Sequence, residues 1–193
     1  CHNEAAGQAL GFRTAPLNRD FLYESTGRTA NQLRTFNSLG MFGTTLGPQQ
    51  LADFIEARPL DDETAPLEHR VRSYLDSNCA HCHQPGAQFE GFDSRLGTPL
   101  NRQGLVDGLI QGFFDLGPDG RYVKAGDPSL SALHVRLGAV GDGDAMPPLA
   151  KNLVDTEAVA ALGAWIDGLD PSEFEAGAAP EARFVRLTAF SEV

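Results

Sequence analysis

The most constraining feature of this sequence is the short run Cys79-Ala-His-Cys-His83, which follows an amphipathic helical pattern. Pro66 favours a helix start, because its missing N–H would have no partner in a first helical turn. Apolar side chains then recur on one helical face at Leu67, Val71, Tyr74 and Leu75. The sequence therefore predicts a helix that delivers two thiols and an imidazole at its C-terminal end.

Cys-x-x-Cys-His is the pattern by which haem c is attached. Two thiols three positions apart on a helical turn reach both vinyl groups, and the imidazole that follows comes up beneath the iron. The spacing predicts haem c bonded to Cys79 and Cys82, with His83 as one axial iron ligand.

Three other chemistries use closely spaced cysteines. A structural zinc site needs four ligands, usually two cysteine pairs or one pair with spaced histidines, and here the third thiol is Cys1. A thioredoxin-type dithiol lies at the start of a helix, whereas the predicted helix precedes this motif. A disulfide between Cys79 and Cys82 would leave His83 unexplained.

The second axial ligand is expected well downstream of the motif. The sequence holds two methionines, Met41 and Met146. Met146 is the predicted ligand, because the prolines after it stiffen the loop and leave little entropy to lose. His134 is the alternative, although it falls inside a predicted helix. Iron held by imidazole and thioether has a positive potential and no open position, which indicates electron transfer.

Several basic residues are candidates to neutralise the haem propionates, with an ordinary solvated arginine as the alternative for each: Arg95, Arg121 and Arg136. His83 is expected to donate its second ring N–H to a backbone carbonyl, and the loop around Pro99 is the candidate for that carbonyl.

Residues 1–64 are predicted to form a loop-rich extension with one helix over 29–39. Cys1-His2 matches the last two residues of a second haem motif, for which Met41 would be the distal ligand. A lipoprotein also begins with cysteine after processing, which is the alternative for Cys1. One haem c is expected, and two are the alternative for an intact protein.

The remaining elements follow from apolar spacing and capping residues. Residues 105–114 form an apolar stretch that could be a helix, and Asp127-Pro128 opens a helix that ends near Gly138. Two glycines and two prolines predict a loop over 141–148. Asp155 caps a last helix, which Asp170-Pro171 ends. The predicted regions are the extension 1–64, a haem domain 65–170, and a linker with the start of a β module 171–193.

Charge and hydropathy limit the classes of partner that this chain is expected to bind. The formal net charge of −11 disfavours nucleic acid and anionic lipid surfaces, and leaves a basic protein partner open. No stretch reaches the apolar length of a membrane-spanning helix.

Residues 66–170 resemble a class I cytochrome c domain. The matching pieces are the Tyr74-Leu75 helix, the haem motif, Gly126-Asp-Pro128, Met146-Pro-Pro148 and the Trp165-Ile166 helix. With Leu10-Gly-Phe12 and Asn31-Gln-Leu33, the order is similar to cytochrome regions of large secreted bacterial proteins, some associated with sugar dehydrogenases or polysaccharide oxidation.

This resemblance implies a mainly α, class I cytochrome c fold in which the first and last helices cross and His and Met ligate iron. It also implies a periplasmic or extracellular location and a redox partner such as a dehydrogenase or oxidase. Residues 182–193 resemble the opening of discoidin-like, galactose-binding β-sandwich modules, so a carbohydrate-binding fragment is a third function class. The main rival to electron transfer is a dihaem or peroxidase-like oxidoreductase with open iron.

Overall fold

The computed structural model describes residues 2–8, 10–141, 143–149 and 151–174. Cys1 and the predicted β-module start at 182–193 lie outside these ranges. The described residues contain six α-helices, α1 to α6 in chain order: Thr14–Leu17, Gln32–Ser38, Pro48–Ala52, Leu67–Asn78, Ala132–Gly138 and Thr156–Asp167. Short 3-10 helices occur at Leu100–Arg102, Pro128–Leu130 and Pro171–Glu173.

A two-stranded antiparallel sheet lies between α1 and α2 in the chain. Strand β1, Asp20–Tyr23, pairs with β2, Arg28–Asn31. The sequence analysis did not predict this hairpin, and the helix expected over 29–39 is shorter because its first residues belong to β2. Asn31 ends the strand and caps α2, its side chain accepting a hydrogen bond from the Arg34 N–H. The fold is thus helical with a small sheet, and the expectation of a mainly α chain holds only in part.

The helix before the haem motif and the last helix form the core. Helix α4 packs against α6, and Val71 and Leu75 of α4 share a buried cluster with Leu162 and Ile166 of α6. Full burial of one such aliphatic side chain contributes about 1.5–3 kcal/mol. This contact therefore fixes the helix that presents the motif.

The segment predicted as a helix over 105–114 is not helical. Leu105 and Val123 are fully buried, and the Val123 N–H donates to the Leu105 carbonyl at 3.1 Å. The Asp107 N–H donates in turn to the Val123 carbonyl at 2.8 Å. Gly108 lies so near the Gly104 carbonyl that a Cβ would be 2.0 Å from its oxygen. Backbone pairing with a distant segment replaces the local helix.

The predicted caps of the later helices are confirmed, with one change. Asp127 accepts hydrogen bonds from the N–H groups of Ser129 and Leu130, but the turn it caps is a 3-10 helix. Ser131 is extended and separates that turn from α5, which ends at Gly138 as expected. Asp155 caps α6 by accepting from the Ala158 N–H. No helix in the described ranges is long and apolar enough to cross a bilayer.

A buried ion pair connects the extension to the haem-motif helix. Arg13 donates from one guanidinium nitrogen to the Asp76 carboxylate at 2.9 Å and from another to the Asp76 carbonyl at 2.5 Å. The Asp76 side chain is 4% exposed and also accepts from the Leu96 N–H at 3.0 Å. The extension therefore supplies the counter-charge for a buried carboxylate close to the motif.

We expect Arg13→Met to lower the free energy of unfolding by about 2–3 kcal/mol, because the buried Asp76 side chain would lose its charged hydrogen-bond donor. Urea unfolding followed by circular dichroism measures this loss. Arg28→Met, at an exposed position on β2, is the control and should change stability by no more than about 0.5 kcal/mol. Equal stabilities for the two variants would contradict the assigned role of Arg13.

Candidate functional site

The haem motif forms one tight turn at the end of α4. The helix ends at Asn78, and Cys79 is its C-terminal cap. The N–H groups of Cys82 and His83 both donate to the Cys79 carbonyl, at 3.0 and 2.9 Å. The predicted helix end is confirmed, and the turn keeps both thiols and the imidazole within one short stretch of backbone.

The loop that follows holds this turn from the other side. The His83 carbonyl accepts two hydrogen bonds from Ser94, one from its N–H at 2.9 Å and one from its hydroxyl at 3.2 Å. Two residues later the Leu96 N–H donates to Asp76 on α4. The backbone of His83 is therefore fixed by a loop that is itself anchored to the helix.

Aromatic rings set the orientation of the His83 side chain. Its imidazole stacks on Phe92, with ring centroids 4.3 Å apart and planes inclined by 11°. Phe89 is a second stacked ring at 5.8 Å. Phe92 is in turn supported by Tyr122, at a centroid distance of 5.0 Å.

One ring nitrogen of His83 has bonding capacity that the described residues do not use. Its Nδ1 atom is buried and has no hydrogen-bond partner in the part of the chain that the structure describes. The expected hydrogen bond to a carbonyl near Pro99 is not formed; the Pro99 carbonyl accepts from the Arg102 N–H at 2.8 Å. Leaving a buried polar atom without a hydrogen-bond partner costs about 1–3 kcal/mol of folding free energy. Each such atom therefore calls for an explanation, and a functional role is one of them.

The environment keeps His83 neutral. Burial, with smaller contributions from Arg136 and His81, lowers the pKa of His83 to about 4. At neutral pH the ring therefore carries a lone pair, as metal ligation by imidazole requires. A binding group that needs an imidazole ligand fits this residue.

The surroundings of the two thiols do not suit a redox-active dithiol. Cys79 and Cys82 are not joined by a disulfide. Burial, with smaller contributions from Cys82 and Asp76, raises the pKa of Cys79 to about 12. A redox-active dithiol needs the opposite shift. Within the described ranges, no three His, Cys, Asp or Glu side chains form a group suited to bind a metal ion by themselves.

Met146 lies in the predicted loop, next to Arg136. The Met146 N–H donates to the Arg136 carbonyl at 3.0 Å, and the Met146 side chain is half-buried. The Arg136 guanidinium donates to the Asp144 carbonyl at 2.8 Å and lies 4.9 Å from the centre of the Phe114 ring. The same guanidinium lowers the pKa of His83. Arg136 therefore interacts with both predicted iron ligands, with Met146 through its backbone carbonyl and with His83 through its charge.

The three arginine candidates differ in their partners. Arg95 is paired with the Asp93 carboxylate, with a shortest N–O distance of 2.6 Å. Arg121 donates to the backbone carbonyls of Pro118 and Gly120. Arg136 alone among them acts on the pKa of His83, so it is the candidate best placed to meet an anionic group near the imidazole.

His134, the alternative axial ligand, packs against the last helix. A Cβ atom at Gly163 of α6 would lie 3.1 Å from the His134 Nε2 atom. The side chain therefore fills the space that this glycine leaves at the interface between α5 and α6.

The second candidate site is described only in part, since Cys1 lies outside the described residues. The His2 Nδ1 atom is 2.7 Å from the Gln8 carbonyl oxygen. The Asn3 side-chain amide donates to the His81 carbonyl inside the haem motif. Met41 is 63% exposed. The N-terminal segment thus contacts the motif through Asn3, while Met41 lies on the surface.

Sequence reasoning missed the residues that orient the imidazole. Phe89 and Phe92 lie six and nine positions after His83, and Ser94 lies beyond them, in a segment interpreted only as loop. Phe92 is buried within that loop, and apolar aromatic residues in a polar, glycine-rich stretch are the signal that could have found them.

Comparisons with protein-family models, curated proteins and solved structures find no match for this chain.

The close packing around Phe92 makes Gly91 sensitive to substitution. A Cβ atom there would lie 2.1 Å from the Tyr122 hydroxyl oxygen, so Gly91→Ala must displace the ring that supports Phe92. We expect a loss of about 1–3 kcal/mol in the free energy of unfolding and a changed near-ultraviolet circular dichroism spectrum.

Gly97→Ala is the matched control, because a Cβ there would meet Ile55 at an ordinary 3.5 Å. Its stability should change by no more than about 0.5 kcal/mol. An unchanged aromatic spectrum for Gly91→Ala would contradict the support assigned to Tyr122.

Proposed function

We propose that this chain is an electron-transfer protein that carries haem c on Cys79 and Cys82, with His83 and Met146 as axial ligands. The observation that carries the proposal is the turn after α4. It presents two thiols and, directly after them, a neutral imidazole with an unpartnered buried nitrogen. Neither a dithiol nor a histidine packed for stability alone accounts for that combination.

The arrangement of helices supports a class I cytochrome c assignment. The helix that carries the motif packs against the last helix of the described chain. Along the chain, the loop that fixes His83 and the loop that contains Met146 both lie between these two helices. This order agrees with a domain in which the two proposed ligands come from separate loops.

Haem c supplies reversible one-electron chemistry when bound. The part of this chain is to hold His83 by its backbone and ring contacts, and to keep water from one face of the imidazole with the buried Phe92. Arg136 offers a positive charge for a propionate, whereas the charge of Arg95 is already balanced by Asp93. The half-buried Met146 offers a thioether, which favours the reduced metal relative to a second nitrogen ligand.

The partner is proposed to be a redox protein, such as a dehydrogenase or oxidase, in the periplasm or outside the cell. The net charge of −11 favours a basic docking surface on that partner. Covalent attachment of haem c to cysteine thiols also takes place outside the reducing cytosol, which agrees with this location. A second haem on Cys1 and His2 stays a prediction for an intact protein.

Met146→Ala tests the ligand set. In haem-loaded protein we expect the variant to lose the weak far-red absorption band of ferric, Met-ligated iron and to have a lower reduction potential, because the thioether favours ferrous iron. Visible spectroscopy and a potentiometric titration measure both changes. Leu149→Ala, an exposed position in the same loop, is the control and should keep the band.

A high-spin spectrum of the unmodified protein with rapid peroxide reactivity would contradict electron transfer and favour the rival enzyme with open iron. Sugar binding by protein that carries no haem would instead favour a carbohydrate-binding fragment.

A further inference from the structure

Lys151, a half-buried lysine, connects the loop of Met146 to the end of α5. The Lys151 ammonium donates to three backbone carbonyls: that of Met146 at 3.1 Å, that of Arg136 at 3.3 Å, and that of Leu137. The proposed electron-transfer chemistry does not use this ammonium directly, so its position needs a separate explanation.

The end of α5 is suited to such a cation. The last carbonyls of a helix have no partner within the helix, and the helix dipole places partial negative charge there. Arg136 and Leu137 are in the last turn of α5, which ends at Gly138. An ammonium has three donors, and Lys151 directs them to two helix carbonyls and the Met146 carbonyl.

Met146 is consequently held through its backbone on both sides. Its N–H donates to the Arg136 carbonyl, and its carbonyl accepts from Lys151. Its neighbours Asp144 and Pro147 are exposed, while Ala145 is buried. These polar contacts to the end of α5 therefore fix the backbone of Met146, from which its sulfur is positioned.

We propose that Lys151 is a positioning residue that holds Met146 in the conformation in which its sulfur ligates the iron. The inference rests on the proposed function, since it assumes that Met146 is a ligand. Lys151 touches neither the thiols nor the imidazole. Its effect is therefore confined to how strongly the thioether competes for its coordination position.

Imidazole is the probe, because it displaces a weakly held methionine from ferric haem. In haem-loaded Lys151→Met we expect imidazole to bind about tenfold more tightly than in the unmodified protein. Such a factor corresponds to the loss of hydrogen bonds from a charged donor. Lys151→Arg, which keeps a cationic donor, should restore most of the original affinity.

Lys124→Met is the matched control, because Lys124 is the only other lysine and its ammonium faces Asp107 at 3.8 Å. It should leave imidazole affinity unchanged. In a Met146→Ala background, Lys151→Met should no longer alter imidazole binding, since no thioether competes. A general loss of folding would lower stability without this dependence on Met146.

The outcomes separate the two proposals. A far-red band in the unmodified protein, with equal imidazole affinity in Lys151→Met, overturns the role of Lys151 and leaves Met146 as a ligand. Absence of that band in the unmodified protein overturns Met146 ligation and this inference with it. If Lys151→Met does not fold, Lys151→Gln is used, and unchanged imidazole affinity in that variant overturns the inference equally.

Discussion

The site depends most on the hydrogen bonds that the buried Asp76 carboxylate accepts. This carboxylate lies on α4, three residues before Cys79, and accepts hydrogen bonds from Arg13 of the extension and from the Leu96 N–H of the loop. A charge removed from water must be paired and hydrogen-bonded. Three separate segments are therefore fixed around one carboxylate, and the loop between Ser94 and Leu96 is held where Ser94 can bind the His83 carbonyl.

The same arrangement explains the electrostatics of the motif. Burial keeps His83 neutral and Cys79 protonated, and the charge of Asp76 adds to the second effect. A site that used thiolates as nucleophiles would need positive charge beside the sulfur. Here the positive charge of Arg136 lies on the side of the imidazole, where it disfavours imidazolium. At neutral pH the imidazole of His83 is therefore uncharged.

Sequence patterns predicted the elements whose signals are local. The apolar spacing of α4, the Asp155 cap of α6 and the stop at Gly138 each depend on neighbours within a few positions, and the structure confirms them. The helix expected over 105–114 is not formed, because Leu105 and Asp107 instead form backbone hydrogen bonds with Val123. The Arg13 to Asp76 pair and the Phe92 stack join residues far apart in sequence or hidden in a loop, so periodicity carries no trace of them.

Mass spectrometry of protein produced in a host that attaches haem c tests the central claim most directly. The account predicts that the peptide containing Cys79 and Cys82 gains the mass of one haem, and that Cys79→Ala with Cys82→Ala abolishes this gain. A colourless protein in which the same peptide has its unmodified mass and two titratable thiols would contradict it.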